Sequence, residues 1–486
     1  MLRFSSRRNH LVVLQLLGIL LLTILFGNGC DNSTTQSSPP DGDKLVEFWL
    51  SDPGKNIKFV EQSSHIDTGK IDNIQNIVVN TEMLRQEMDG FGFALTGGSA
   101  LHIHNMTATE RGLLLNELFD YGDNNIGTSY LRVSIGASDL DEKVFSYNDL
   151  PPGQTDVDME QFTLDEDRKH LIPVLKEILQ INPDIKILGS PWSPPVWMKT
   201  NGSSIGGSLK AVYYDAYAKY FVKYVQGMAD EGITIDAITV QNEPLHPGNN
   251  PSLLMLAAEQ AAFIKNSLGP VFQNAGIQTK IIIWDHNADR PDYPISVLND
   301  PDAKQYIDGS AFHLYGGDIS ALSEVHNAHP DKNLYFTEQW VGAPGDFAAD
   351  LKWHVRELII GATRNWSRNV IEWNLAADEN QDPHTPGGCS LCLGALTISG
   401  NQVTRNSAYY IIAHASKFVR PGSQRVYSTT TPDLPNVAFK TTDKRIVVIV
   451  LNNGNAEESF NILIEDKAIN SRLSVGSVGT YVWKLE

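Results

Sequence analysis

The chain has 486 residues, of which 42% are hydrophobic and 20% charged, and its formal net charge is −19. This composition is typical of a folded globular protein with one large domain and a smaller one, and it excludes general disorder. The negative charge and the absence of a Lys/Arg cluster after residue 10 exclude nucleic acid as an expected partner and favour a neutral one.

The first 29 residues have the pattern of a secretory signal peptide. Arg3, Arg7 and Arg8 precede the apolar run LVVLQLLGILLLTILF, which is too short for a comfortable membrane span. The run ends in GNGC at Cys30, and the polar stretch to residue 43 resembles the flexible tether of a bacterial lipoprotein. We therefore expect an exported cell-envelope protein with a lipid anchor at Cys30. A plain cleaved signal, with a periplasmic or secreted product, stays open.

Short β-prone runs follow in residues 44–88, for example KLVEFWLSD and IQNIVVN. Similar runs, such as RIVVIVLNN and GTYVWKLE, fill residues 421–486. Because both groups are broken by turns, we predict that the two chain ends form one antiparallel β-sandwich.

Residues 89–420 alternate apolar runs with helical patterns, which predicts parallel strands joined by helices. Eight such runs occur, and each ends in polar or aromatic residues: FGFALTGG, SYLRVSIGASD, IKILGSPW, ITIDAITVQNE, KIIIWDHN, GSAFHLYGG, NLYFTEQW and NVIEWNLA. Capping boxes at Thr107 with Glu110 and at Thr163 with Glu166 predict two helix starts. The predicted fold is α/β, a (β/α)₈ TIM barrel forming the catalytic domain with the β-sandwich attached.

Two glutamates stand where apolar strands stop. Glu243 is expected to end the fourth strand, which begins near Ile233, and Glu338 ends the seventh. Because the carboxyl ends of barrel strands meet at one mouth, these two side chains would face each other there. Paired carboxylates at such a mouth are the machinery of glycoside hydrolysis. The alternative is that both are ordinary loop acids.

Aromatic and polar residues end the other strands. Aromatic rings offer flat faces to sugar C–H groups, and polar side chains bind hydroxyl groups. For His313, Tyr315 and Asp285 a structural role competes with a functional one. The strand-end residues are Trp192, Trp197, Trp284, Asp285, His286, His313, Tyr315, Trp373 and Asn374.

Several of these segments occur in the order found in glycoside hydrolase family 30, which includes lysosomal glucosylceramidase and microbial endo-β-1,6-glucanases. The sequence resembles that family over about residues 45–486, in GFGFALTGGSA, LRVSIGASDL, SPWSPPVWMKTNG, VQNEP, FHLYGG, YFTEQW, EWNLAADEN and SKFVRPGSQRV. The resemblance implies a retaining mechanism, with Glu243 as general acid/base and Glu338 as nucleophile.

The resemblance also implies six substrate-binding residues. Asn242 would bind the sugar 2-hydroxyl and Asp139 the distal hydroxyls, Trp192 and Trp373 would line the first sugar site, and His313 and Tyr315 would flank and orient Glu338. Independently of the resemblance, a general acid must keep its proton at rest. We therefore expect the charge of Glu338 to raise the pKa of Glu243.

Cys389 and Cys392 form a C-x-x-C pair in GGCSLCLG. Two thiols cannot complete a four-ligand zinc site and the sequence has no second pair, so no metal is expected. A small disulfide that staples the glycine-rich loop is favoured over a redox role. No cofactor is predicted, since GFALTGGSA lacks the lysine of a phosphate-binding loop.

The loop GGCSLCLGALTI and the exported setting resemble the microbial endo-β-1,6-glucanases, so a β-glucan substrate is expected. A glucosylceramidase, or another β-glycosidase of the family, is the alternative, because both branches share SPWSPPVWMKTNG and SKFVRPGSQRV. An inactive sugar-binding surface lipoprotein is a third possibility from a different class. It would lack one of the two acids, and both are present.

Overall fold

A computed structural model of the protein describes residues 46–122 and 125–484. The signal peptide predicted at 1–29 and the tether predicted at 30–43, with Cys30, lie outside the described residues and stay predictions. Within the described ranges, every helix is too short or too polar to cross a lipid bilayer.

Eight parallel strands form a barrel, one from each predicted run. Strands that are consecutive in the sequence pair side by side, and the eighth pairs with the first. A single bridge between Leu334 and Ser367 joins the seventh strand to the segment before the eighth, so the barrel is nearly closed. The strands are Gly90–Ala94, Tyr130–Ser134, Lys186–Ser190, Ala237–Thr239, Lys280–Ala288, Ile307–Gly317, Asn333–Glu338 and Asn369–Asn374. The predicted TIM barrel is confirmed.

Helices cover the outside of the barrel, and their apolar faces pack on the strands in one large core. Thr107 precedes a helix as predicted, but its side chain makes no capping hydrogen bond. The helix predicted after Thr163 begins later, at Leu171, because Thr163 Oγ1 accepts from the Asp165 N–H and closes a local turn. The α-helices are Gly97–Asn105, Ala108–Phe119, Leu171–Ile181, Tyr214–Asp230, Ala257–Phe263, Gly269–Asn274, Asp292–Leu298, Pro301–Lys304, Ala321–Ala328, Phe347–His354 and Ser407–Ser416, with π-helical turns at Ile264–Leu268 and Val355–Ala362.

The two chain ends meet in a β-sandwich. Val46–Asp52 pairs with Val478–Lys484 from Val46 to Ser51, and apolar side chains of early and late strands fill the space between the layers. All neighbours are antiparallel except Gln75–Glu87 and Glu458–Ile464, which pair in parallel. In spatial order the strands are Ile57–Glu61, Val46–Asp52, Val478–Lys484, Arg445–Leu451, Asn436–Lys440, Gln424–Ser428, Gln75–Glu87, Glu458–Ile464, Lys467–Leu473 and Asp67–Thr68. The attached sandwich is confirmed, with one parallel pair that the sequence did not predict.

The barrel interior changes from apolar to polar towards the carboxyl ends of the strands. One inward layer is an apolar cluster that contains Leu188 and Ala237. Since alternate residues of a strand face the same side, the next inward layer holds Ser190 and Thr239, together with Arg132 of the second strand. All three of these side chains are buried. The polar layer is therefore the floor of the mouth at which the predicted site residues meet.

Candidate active site

Glu243 lies in the turn after the fourth barrel strand. That strand ends at Thr239, so the predicted position of Glu243 at the strand end was wrong by four residues. The backbone of Glu243 has a φ of 46°, in the left-handed region that residues other than glycine rarely adopt. Its N–H donates to Asp285 O at 3.0 Å, and its carbonyl accepts from the His246 N–H at 2.9 Å. These two bonds fix the turn and with it the place of the carboxylate.

Glu338 is the last residue of the seventh strand and lies beside His313 of the sixth strand in the sheet register. A carboxylate oxygen of Glu243, one of Glu338 and a nitrogen of His313 all lie within 4.8 Å of one another. The two acids therefore meet at the mouth although they are remote in sequence. Retaining glycosidases hold their carboxyl groups about 5 to 5.5 Å apart, and inverting ones about 6.5 to 9.5 Å apart. The separation of at most 4.8 Å between a carboxylate oxygen of Glu243 and one of Glu338 fits the shorter spacing of the retaining class.

Arg132 holds one oxygen of Glu338 from below. Its Nη1 donates to Glu338 Oε2 at 2.5 Å, while its Nη2 donates to Asn242 Oδ1 at 2.7 Å and Asp285 Oδ2 at 2.8 Å. The Tyr315 hydroxyl donates to the other oxygen, Glu338 Oε1, at 2.9 Å. Glu338 thus has a donor on each oxygen, and one of the two donors carries a permanent charge.

Asp285 is a fully buried carboxylate beneath the two glutamates. Besides Arg132, it accepts hydrogen bonds from three hydroxyls and contacts His313 Nε2 at 3.0 Å. Burial favours the neutral acid, but the charge of Arg132 and the bond from His313 hold the pKa of Asp285 well below its ordinary value. The three hydroxyls belong to Ser190, Thr239 and Thr337.

His313 connects Asp285 to both glutamates. Its Nε2 faces Asp285, and its Nδ1 lies 3.3 Å from Glu243 Oε1 and 3.8 Å from Glu338 Oε1. Burial opposes the charged imidazolium, but the charge of Glu338 and the bonds to Asp285 and Glu243 raise the pKa of His313 to about 9. At neutral pH His313 is therefore protonated and donates from both ring nitrogens.

The resting pKa shifts of the two glutamates differ from the expectation. Burial acts to raise the pKa of Glu243, yet the hydrogen bond and charge of His313 outweigh it and lower the pKa. Burial raises the pKa of Glu338, and the nearby charge of Glu243 adds to this against the opposing His313 and Arg132. The predicted upward shift at Glu243 was wrong because the sequence does not show the His313 contact. The proton that a general acid needs is held on His313, across a 3.3 Å contact from Glu243.

A cavity of about 350 Å³ opens beside the two glutamates. Five of the six predicted substrate-binding residues line it, and His313 lies buried behind it. Trp192 and Trp373 stack on each other with ring centroids 5.4 Å apart, and the Arg132 guanidinium lies 4.8 Å from the Trp192 ring. The five residues are Asp139, Trp192, Asn242, Tyr315 and Trp373, and the sequence analysis missed four further lining residues, His246, Asn249, Asn287 and Trp340.

Both domains of the chain match domains of one known family. A model of the glycosyl hydrolase family 30 TIM-barrel domain matches residues 88–419, and one of the family 30 beta sandwich domain matches residues 422–481. The chain belongs to glycosyl hydrolase family 30. The predicted family is thereby confirmed, and the chain is a retaining glycoside hydrolase.

The relatives within family 30 include both endo-1,6-beta-glucanases and glucosylceramidases. An endo-1,6-beta-D-glucanase of Neurospora crassa is 35% identical over 79% of this chain and 82% of its own length. The lysosomal acid glucosylceramidase of Mus musculus is 30% identical over 84% of this chain and 83% of its own. The solved structure of the endo-beta1,6-glucanase BT3312 is 34% identical, with a TM-score of 0.84, over 91% of this chain and 99% of its own.

Two tryptophans expected at the mouth of this family 30 enzyme lie elsewhere. Trp284 has a φ of 72° and packs in the core, 4.4 Å from the Tyr293 ring. Trp197 packs edge-on against Tyr213 at 5.0 Å, and its Nε1 donates to Asn148 Oδ1. Both side chains stabilise the layer around the barrel, and neither lines the cavity.

Cys389 and Cys392 form a disulfide. The bond does more than close a glycine-rich loop, because both cysteines line the cavity beside Asp139. Cys392 also packs in a small apolar cluster with Trp192 and Trp373.

Glu243, His313 and Glu338 are close enough together to hold a cation. However, His313 is protonated at neutral pH, so Nδ1 has no lone pair to offer a metal. Arg132 already occupies one oxygen of Glu338. The donor set therefore suits proton transfer better than metal binding.

Proposed function

We propose that this family 30 enzyme hydrolyses β-1,6-linked glucan by double displacement, with Glu338 as nucleophile and Glu243 as general acid/base. The proposal rests on the closeness of the two carboxylates, whose oxygens lie within 4.8 Å of each other beside a sugar-sized cavity. Three endo-1,6-beta-glucanases are 34% or 35% identical to the chain, and the glucosylceramidases 28% to 30%.

The hydrogen bonds support this assignment of roles. Arg132 and Tyr315 both donate to Glu338 and keep it oriented as an anion, which is the form that attacks the anomeric carbon. The Glu243 carboxylate lies near two imidazoles, at 3.3 Å from His313 and 3.7 Å from His286. A proton that passes from His313 to Glu243 leaves a neutral imidazole beside the acid, whereas Arg132 keeps its charge beside Glu338.

The reaction then follows in two steps. Glu338 forms a bond to the anomeric carbon while the glycosidic C–O bond breaks, and Glu243 gives its proton to the leaving oxygen. In the second step Glu243 takes a proton from water, the hydroxide attacks the anomeric carbon, and Glu338 leaves with its charge restored. Two inversions at one carbon give net retention.

The test compares three proteins on a β-1,6-glucan, on glucosylceramide and on an activated aryl β-glucoside. The native chain should release oligosaccharides from the glucan. Glu243→Ala and Glu338→Ala should each lower kcat/KM on the glucan by about 10² to 10⁴-fold. Release of glucose from glucosylceramide alone would instead identify a glucosylceramidase.

Rescue of the aryl glucoside reaction with azide separates the two roles. In Glu338→Ala, azide can occupy the vacated space and attack the sugar directly, so α-glucosyl azide should form. In Glu243→Ala, azide attacks the glycosyl ester on Glu338 from the opposite face, so β-glucosyl azide should form. The reverse pattern of products would contradict the assignment.

A further inference from the structure

The loop after the eighth barrel strand contacts three other loops of the mouth. We define the disulfide loop as residues 385–393. Its Cys392 pairs with Gly342, just after the seventh strand, and the Asn374 side chain donates to Cys392 O at 3.3 Å. At its other end, Asn250 donates from its side chain to Pro386 O at 2.9 Å. The disulfide loop thus joins the ends of the fourth, seventh and eighth strands.

Asp139, in the loop after the second strand, also contacts the disulfide loop. The Cys389 N–H donates to Asp139 Oδ2 at 3.2 Å, and the Thr385 N–H donates to Asp139 O at 2.9 Å. Gly388 lies so close that an added Cβ would come within 2.4 Å of Asp139 O. The backbone around Cys389 therefore helps to position the Asp139 side chain in the sugar cavity, together with a hydrogen bond to Asn249.

The disulfide holds that backbone in place. It closes the short segment 389–392, which includes Leu391 with 53% of its side chain exposed. Gly387 precedes it with a φ of 88°, a conformation that favours glycine. Without the bond, the hydrogen bonds at Leu391 and Cys392 would still hold the end of the segment, but the covalent tie between Cys389 and this anchored end would be lost.

We propose that the Cys389–Cys392 disulfide is a positioning element for Asp139, and that its reduction weakens the binding of the sugar in the cavity. The proposal deepens the proposed function and rests on it, because it takes the cavity to be the sugar site. In the reductive step a dithiol gives two electrons and two protons. The S–S bond breaks, two cysteine thiols form, and the dithiol becomes a cyclic disulfide.

The reactivity of the glutamates should survive reduction, because Glu243 and Glu338 take their positions from Arg132, His313 and Tyr315 rather than from the disulfide loop. A loss confined to Asp139 removes binding that is equal in the ground and transition states. Such a loss raises KM and leaves kcat unchanged. One hydrogen bond to a charged group corresponds to about a tenfold change.

The test uses the full chain with an aryl β-glucoside, before and after treatment with dithiothreitol. We expect KM to rise about tenfold and kcat to stay within twofold. The matched control is the double variant Cys389→Ser with Cys392→Ser. It should start with the raised KM and show no response to dithiothreitol. An unchanged KM in the reduced native chain, or a loss in kcat alone, would overturn the proposal.

Gly388→Ala provides a test that keeps the disulfide. Its new Cβ would push the loop off Asp139, so KM should rise as it does on reduction, and dithiothreitol should add little more. Near-ultraviolet circular dichroism of each variant checks that the fold around Trp192 and Trp373 is retained. A Gly388→Ala variant that folds and keeps the native KM would contradict the role of the Asp139 contact.

A binding measurement separates this proposal from the proposed function. Calorimetry with a glucose-configured iminosugar, in oxidised and reduced protein, reports on the cavity without turnover. Weaker binding after reduction supports the positioning role even if the chain fails to cleave β-1,6-glucan. Equal binding in both redox states would refute the positioning role even if the glucanase activity is found.

Discussion

Replacing Asp285 with asparagine tests the buried network beneath the two glutamates. Asp285 Oδ2 accepts from Arg132 at 2.8 Å, and Oδ1 faces His313 and the Thr337 hydroxyl. The asparagine amide has a single acceptor oxygen, so its NH₂ group must face either Arg132 or the pair formed by His313 and Thr337. The hydroxyl can rotate to accept a hydrogen bond, but a guanidinium and an imidazolium cannot.

The expected loss follows from the charge left behind. Asp285→Asn leaves Arg132 fully buried with Glu338 as its remaining carboxylate, and breaking one partner out of a buried pair costs about 3 to 5 kcal/mol. Because the pKa of Asp285 is lowered, its contribution is present at all pH values above the unfolded pKa of about 3.9 and is lost only as the pH falls further. Asp285 also helps to raise the pKa of His313, so the destabilisation should be full at pH 5.5 and no larger at pH 7.

Denaturant unfolding of the native chain and the variant measures this difference at both pH values. The matched control is Asp167→Asn at pH 5.5. Asp167 is also buried, but burial raises its pKa to about 8, so the variant replaces an acid that is already neutral. The control should lose less than about 1.5 kcal/mol. A loss at Asp285→Asn no larger than in this control would refute the ion-pair reasoning.

Two further outcomes concern the side chains of Tyr315 and Asp167. Tyr315→Phe removes the hydroxyl that donates to Glu338 Oε1 at 2.9 Å, so kcat/KM on an aryl β-glucoside should fall about 10- to 100-fold, and a fall below threefold would contradict this role. Burial makes Asp167 bind its proton more tightly in the folded chain, against the opposing hydrogen bond that Tyr147 donates at 2.6 Å, so its contribution to stability falls as the pH rises from about 4 to about 8. Asp167→Asn should consequently gain stability relative to the native chain as the pH rises from 5.5 to 9, in unfolding curves measured at each pH, and a constant difference would contradict the raised pKa.

The strand ends could be read from the sequence because each is a local pattern. An apolar run that stops at an acid identifies Glu338 without any knowledge of its neighbours. Arg132 was not predicted, although a charged residue within the apolar run YLRVS has to find a buried partner. The partner was not visible, because Asp285 and Glu338 come from the fifth and seventh strands and meet Arg132 only across the closed barrel.

Aromatic residues at strand ends were a weaker guide. Trp192 and Trp284 both follow apolar runs, yet only Trp192 lines the cavity. The difference is a backbone change at Trp284, where a positive φ turns the side chain outward into the helical layer. A residue such as tryptophan seldom adopts that conformation, so nothing in the local sequence predicts it. Trp340 was not predicted because it lies past the end of the seventh strand, Asn333–Glu338.

The charges of the network explain why the resting proton on His313 is compatible with acid catalysis. At rest Arg132 and His313 carry positive charges against Asp285, Glu243 and Glu338, which leaves one net negative charge. In the proposed mechanism, transfer of the proton from His313 to Glu243 and then to the leaving oxygen removes one positive charge. Bond formation by the proposed nucleophile, Glu338, removes one negative charge in the same step.

The net charge of the buried cluster is therefore the same before and after the glycosyl ester forms, because Glu338 loses its negative charge, His313 loses its positive charge and Glu243 is an anion in both states. A change of net charge in a cluster this buried would cost several kcal/mol of solvation. The charge of Glu338 is also the largest of the influences that raise the pKa of His313. Its loss in the ester lowers the affinity of His313 for a proton, so the proton taken from water in the second step stays on Glu243 until Glu338 leaves as an anion, and only then does His313 recover it.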